Sequence, residues 1–165
     1  MFLPFDKLPA SARLWVYQAN RNLTTDESAT VLTALRPALD TWAAHGHPLT
    51  ASAMVVENRF LLLTVDEGAG LPSGCSIDSS VHTVQAIGQQ LGVDFLDRSA
   101  TYRASDGSVQ GLPLSMIKSA VADGSLKPDT LVFNTLVKTL DEFQTNWRLP
   151  ASETWLKRYF KTVVV

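Results

Sequence analysis

A chain of 165 residues with 45% apolar and 18% charged residues has enough apolar material to close a core, and its length suits a single domain. Its net charge of −2 argues against a general attraction to nucleic acid or an anionic membrane, and its one cysteine excludes an internal disulfide and a cysteine-based zinc cluster. No basic-then-apolar leader opens the sequence and no apolar run is long enough to span a bilayer, so the expectation is a cytoplasmic protein without membrane insertion.

Residues 13–18 (Arg-Leu-Trp-Val-Tyr-Gln) favour a first strand, and Asn20-Arg21-Asn22 reads as the loop after it. Thr24 and Glu27 have the spacing of a capping box, and Val31, Leu32, Leu35, Leu39 and Trp42 follow at helical intervals until His45-Gly46-His47-Pro48 closes the segment. Residues 51–56 and 60–65 read as a hairpin turning at Glu57-Asn58-Arg59. The second run, Phe60-Leu61-Leu62-Leu63-Thr64-Val65, is apolar enough for a central strand. A glycine-rich loop then leads to a helix capped by Asp78 or a neighbouring serine, with Val81, Val84, Ile87 and Leu91 on its apolar face and Gly92 at its end. Further on, Asp106-Gly107 marks a hairpin, Leu114–Val121 a short helix ending near Gly124, residues 130–137 an extended run, and Trp155–Phe160 an aromatic amphipathic segment.

Over about residues 11–110 this order matches a ferredoxin-like βαββαβ core of the α/β (α+β) class, with about 111–165 as a C-terminal extension of the same domain. First and third strands are then expected side by side and parallel. On that reading the Asn20-Arg21 and Gly74-Cys75-Ser76 loops meet at one edge, each at a helix N-terminus. The candidate ligand surface is therefore Asn20, Arg21, Gly74, Cys75, Ser76 and Asp78, with a small anion as the guest. The bland alternative is that the serines and Asp78 only cap a helix and Cys75 is packed filler.

The run Ala69-Gly-Leu-Pro-Ser-Gly-Cys75-Ser76 lies where a phosphate-binding P-loop would lie, yet Ala69 replaces its first glycine and Cys75 its lysine, which argues against an ATPase. Cys75 is also the candidate nucleophile of an alternative enzyme reading in thiol or acyl chemistry, with His82, or else His45 or His47, as its base. His45 and His47 read as helix-stop residues, and neither a metal nor a cofactor is implied. A third reading is a structural subunit or peptide-binding module that uses the aromatic C-terminal segment.

Leu8–Arg13, Tyr17–Arg21, Ser73–Ser80, Val93–Arg98 and Asp129–Asn134 together resemble, nearly end to end, a family of uncharacterised bacterial proteins often labelled "ABC transporter ATPase". The defective P-loop and the short chain do not support that activity. Residues 102–151 are similar to small GYF-like modules that bind proline-rich peptides. The likeness rests on Asp106-Gly107, Leu114-Ser115, Ala122-Asp123-Gly124, Asp129–Val132, Trp147 and Pro150-Ala151, without a Gly-Tyr-Phe signature and with Asn134 where an aromatic is common. It implies a peptide ligand.

Overall fold

The computed structural model describes residues 1–161, in two compact units. The first comprises Met1–Asp97 with Leu136–Thr145, and the second Arg98–Thr135 with the chain from Asn146 onward. The α+β class expected from the sequence holds, and along the chain the first change of unit falls at Asp97.

In the first unit, β1 (Arg13–Gln18), β4 (Ala51–Val56) and β5 (Phe60–Val65) form one sheet in the order β1-β5-β4, with both pairings antiparallel. The expected parallel pairing of the first and third strands is thus corrected. Helix α1 (Thr25–Asp40) carries the chain back so that β4 runs parallel to β1. The β4–β5 hairpin reverses it once more, and β5 inserts between them antiparallel to both. Two residues in left-handed conformation, Glu57 (φ 56°) and Asn58 (φ 48°), make the tight turn of that hairpin.

Strand periodicity sorts the side chains. Trp15 and Tyr17, Leu61, Leu63 and Val65, and Ala51, Ala53 and Val55 share the face that packs with Val31, Leu35 and Leu39 of α1 and with Val84 and Ile87 of α2 (Gly74–Leu91). Helix α1 begins at the expected capping box: Thr24 accepts from the Glu27 amide at 3.0 Å, and the Glu27 carboxylate accepts from the Thr24 amide at 3.0 Å. It ends at Asp40, earlier than the histidines. His45 (φ 51°) and Gly46 (φ 78°) instead turn a small hairpin between β2 (Ala43–Ala44) and β3 (His47–Pro48).

Among the described residues no regular fourth strand completes the sheet. After α2, the chain joins the end of β1 through a parallel bridge, Gln18 to Leu96, in which the Gln18 amide donates to the Phe95 carbonyl at 3.0 Å and the Asp97 amide to the Gln18 carbonyl at 3.3 Å, with the Asn20 amide donating to the Asp94 carbonyl at 3.0 Å. At the other end of β1, the Leu14 amide donates to the Lys138 carbonyl at 2.8 Å, and Leu140 joins Leu8 and Ala12 in a small apolar cluster. Helix α4 (Leu140–Asn146) starts there.

The strand expected to finish the core belongs to the second unit. There β6 (Ala100–Arg103) and β7 (Val109–Leu112) form the Asp106-Gly107 hairpin, and β8 (Leu131–Phe133) and β9 (Arg148–Pro150) extend an antiparallel sheet of order β7-β6-β8-β9. A 3-10 turn at Leu114–Met116 leads into α3 (Ile117–Ala122), and the expected aromatic segment is a 3-10 helix, Trp155–Phe160. Ala100, Ile117, Ala120, Leu126, Val132, Ala151 and Leu156 form this unit's own core. No helix among the described residues is long and apolar enough to cross a membrane.

Candidate functional site

The antiparallel register separates the two loops expected to meet. Gln18 at the end of β1 lies opposite Phe60 at the start of β5, and Arg13 lies opposite Val65, so the Asn20-Arg21 loop and the chain leaving β5 emerge at opposite ends of the sheet. Helix α2 gives the same answer. The Arg21 guanidinium donates to the Leu91 carbonyl at 2.9 Å, at the C-terminus of α2, while Cys75 lies in its first turn. From Cys75 to Leu91 a helix rises about 24 Å. The surface of Asn20, Arg21, Gly74, Cys75, Ser76 and Asp78 is therefore two separate places.

At the Arg21 end, every side chain is engaged in holding loops together. Arg21 makes a forked pair with Glu27, with N–O distances of 2.9 and 2.7 Å, and holds the Glu27 carboxyl down at about 2, with the Thr24 amide acting the same way. The Asn20 carboxamide oxygen accepts from the Asp94 amide at 3.0 Å. Beneath them lies Arg59, buried at 6% exposure, which donates to the Ala19 carbonyl and to the Asn22 side-chain oxygen, both at 3.0 Å. The sequence reading missed Arg59, which stands in the hairpin turn of residues 57–59 where an exposed charge is the ordinary expectation. Burial lowers its pKa and Asp97 opposes the shift, so the cation is retained by partners from the β1 loop and the chain after α2.

At the other end, Ser73 is the N-cap of α2, so Gly74, Cys75 and Ser76 are its first turn and Asp78 lies beyond the capping positions. The Ser73 hydroxyl accepts from the Ser76 amide at 3.1 Å, and the Ser76 hydroxyl accepts from the Ser73 amide at 2.7 Å. Trp42 fixes this turn by donating its indole N–H to the Ser76 carbonyl at 2.8 Å. Cys75 is exposed rather than packed. It borders two open clefts, one of about 460 Å³ shared with Thr41, His45, Ser73 and Ser76, the other of about 530 Å³ shared with Asp78, Ser79 and His82. Among the described residues no imidazole hydrogen-bonds the thiol. Cys75 and His82 thus share a surface groove without forming a nucleophile–base pair. His47 is exposed on β3, and no group of His, Cys, Asp and Glu with metal-binding geometry occurs among the described residues.

The second unit carries surface that the sequence reading weighed lightly. Pro113, Leu114 and Met116 are exposed in succession, the last two at 46% and 53%. Trp155 and Tyr159 pair edge to face, 6.4 Å apart, and both remain half-buried, as does Trp147 beside Phe133. Searches against protein-family models, curated proteins and solved structures found no match for this chain.

Proposed function

We propose that this protein is a non-catalytic binding domain whose second unit takes a proline-rich peptide through its aromatic surface. The observation that carries this reading is the second unit itself: residues 102–151, which resemble GYF-like modules, lie mostly within a unit that has its own core. That unit leaves three aromatic side chains and an apolar ledge partly open to solvent. Half-buried aromatic faces suit proline rings, because an extended proline-rich segment loses little conformational freedom on binding and presents flat apolar surface. The first unit supports the reading from the other side. Its one arginine in the suspected anion site is spent on Glu27 and Leu91, and its exposed thiol has no base bonded to it.

The test is an amide and indole NMR titration of the full chain with a polyproline decapeptide. Trp155 and Trp147 indole signals are expected to shift below about 1 mM peptide, an affinity of roughly 4 kcal/mol. Trp42, whose N–H is internally bonded, is expected to stay in place. Absence of any shift, or shifts confined to Trp15 and Trp42, would overturn the reading.

A further inference from the structure

The net charge of −2 conceals a partition between the units. The second unit contains eight basic and four acidic residues and the first six basic and twelve acidic, so the total divides into +4 and −6. All four acids of the second unit are exposed, and two of them are engaged within their own loops. Asp106 and Asp123 each accept hydrogen bonds from the amide and hydroxyl of the serine two residues on. The basic side chains are differently engaged. Lys118, Lys127, Arg148, Lys157, Arg158 and Lys161 are all exposed, and none takes part in an ion pair among the described residues.

Three of these cations lie in the segment that carries the aromatic surface. Lys157, Arg158 and Lys161 alternate with Trp155, Tyr159 and Phe160, and Arg158 lies 4.9 Å from the Tyr159 ring centroid while donating to its hydroxyl at 3.0 Å. No acid interrupts residues 154–161, and the exposed Glu153 that precedes them leaves the stretch 153–161 with a net charge of +2. Exposed cations interleaved with half-buried aromatic side chains favour a ligand of opposite charge and raise its association rate.

Resting on the peptide-binding reading above, we propose that the ligand of the second unit is an acidic, proline-containing segment of a partner protein, recognised through Lys157, Arg158 and Lys161. Nucleic acid is the less suited polyanion. The molecule as a whole is negative and gives a long polyanion no steering, whereas a short acidic segment responds to the local field within a Debye length of about 8 Å.

The experiment is fluorescence anisotropy of the full chain with dye-labelled decapeptides of alternating Glu-Pro, Gln-Pro and Lys-Pro, and with a short oligothymidylate. At low salt the Glu-Pro peptide is expected to bind at least about tenfold more tightly than Gln-Pro, with the preference lost near 0.5 M salt. A Lys157→Gln/Lys161→Gln variant is expected to lose that preference and to keep its Gln-Pro affinity. Equal binding of Glu-Pro and Gln-Pro, or a preference for Lys-Pro, overturns the acidic ligand and leaves peptide binding standing. Tighter binding of the oligonucleotide than of Glu-Pro overturns it in favour of nucleic acid, and failure of all three peptides overturns the peptide reading itself.

Discussion

Ser52 and Thr64 face each other across β4 and β5, both fully buried, and among the described residues neither hydroxyl has a hydrogen-bond partner. An unpaired buried hydroxyl is a cost that its isostere avoids. Thr64→Val is therefore expected to leave stability unchanged or raise it by about 1 kcal/mol in urea unfolding, and a clear loss would mean that the hydroxyl has a partner. Glu27 gives a pH-dependent test. Its carboxyl is held down at about 2 in the folded protein, below the ordinary value of 4.5, so the contribution of the Arg21 pair is present above pH 4.5 and is lost as pH falls toward 2. Arg21→Ala should flatten the acid limb of the stability profile in that window, and an unchanged limb would show that other carboxylates set it. At this scale the sequence was legible where partners are local. Thr24 and Glu27 are three residues apart and were read correctly. Arg21 and the Leu91 carbonyl are 70 residues apart, and no spacing rule reaches that far.

The last turn of α2 shows how one element fixes the next. Gly92 takes a left-handed conformation (φ 67°), and the Val93 amide closes back on the Gly88 carbonyl at 2.8 Å, a Schellman ending that directs Val93 and Phe95 into the core. That close return is why residue 88 is glycine. A Cβ there would come within 2.5 Å of the Val93 oxygen and 3.1 Å of Phe95, whereas one at Gly74 in the first turn would meet nothing within 4 Å. Gly88→Ala is expected to destabilise by about 1–3 kcal/mol despite its gain in helix propensity, and Gly74→Ala to stabilise by up to about 1 kcal/mol, both measured by thermal or urea unfolding. Equal effects would mean that the backbone after Val93 yields easily. Element type and order were legible for β1, α1, β4, β5 and α2 because hydrophobic periodicity and turn residues are local signals. Strand direction was not read correctly. The site drawn at the meeting of two loops depended on that direction and came apart with it.

At the level of the whole molecule, the two units were invisible to composition. Averaged over the chain, the charges nearly cancel, and residues 136–145 look like any stretch between a strand and a tail. Their place is set by long-range backbone bonds, Leu14 to Lys138 and Leu140 to Ala12, which no local pattern encodes. Neither unit is a continuous stretch of chain. A protein shortened after Thr135 would leave Leu8 and Ala12 without Leu140, and the β8 edge without β9. Such a truncation is expected to lose its cooperative urea transition, and a sharp transition with unchanged slope would show that the first unit closes unaided. The same interleaving sets a clock on synthesis. While the ribosome is still making residues near 135, the first unit cannot yet have closed around Leu140, and the second still waits for β9 and Leu156. Both units therefore mature only after the residues from 136 to 156 have emerged, which exposes a long nascent segment to chaperones.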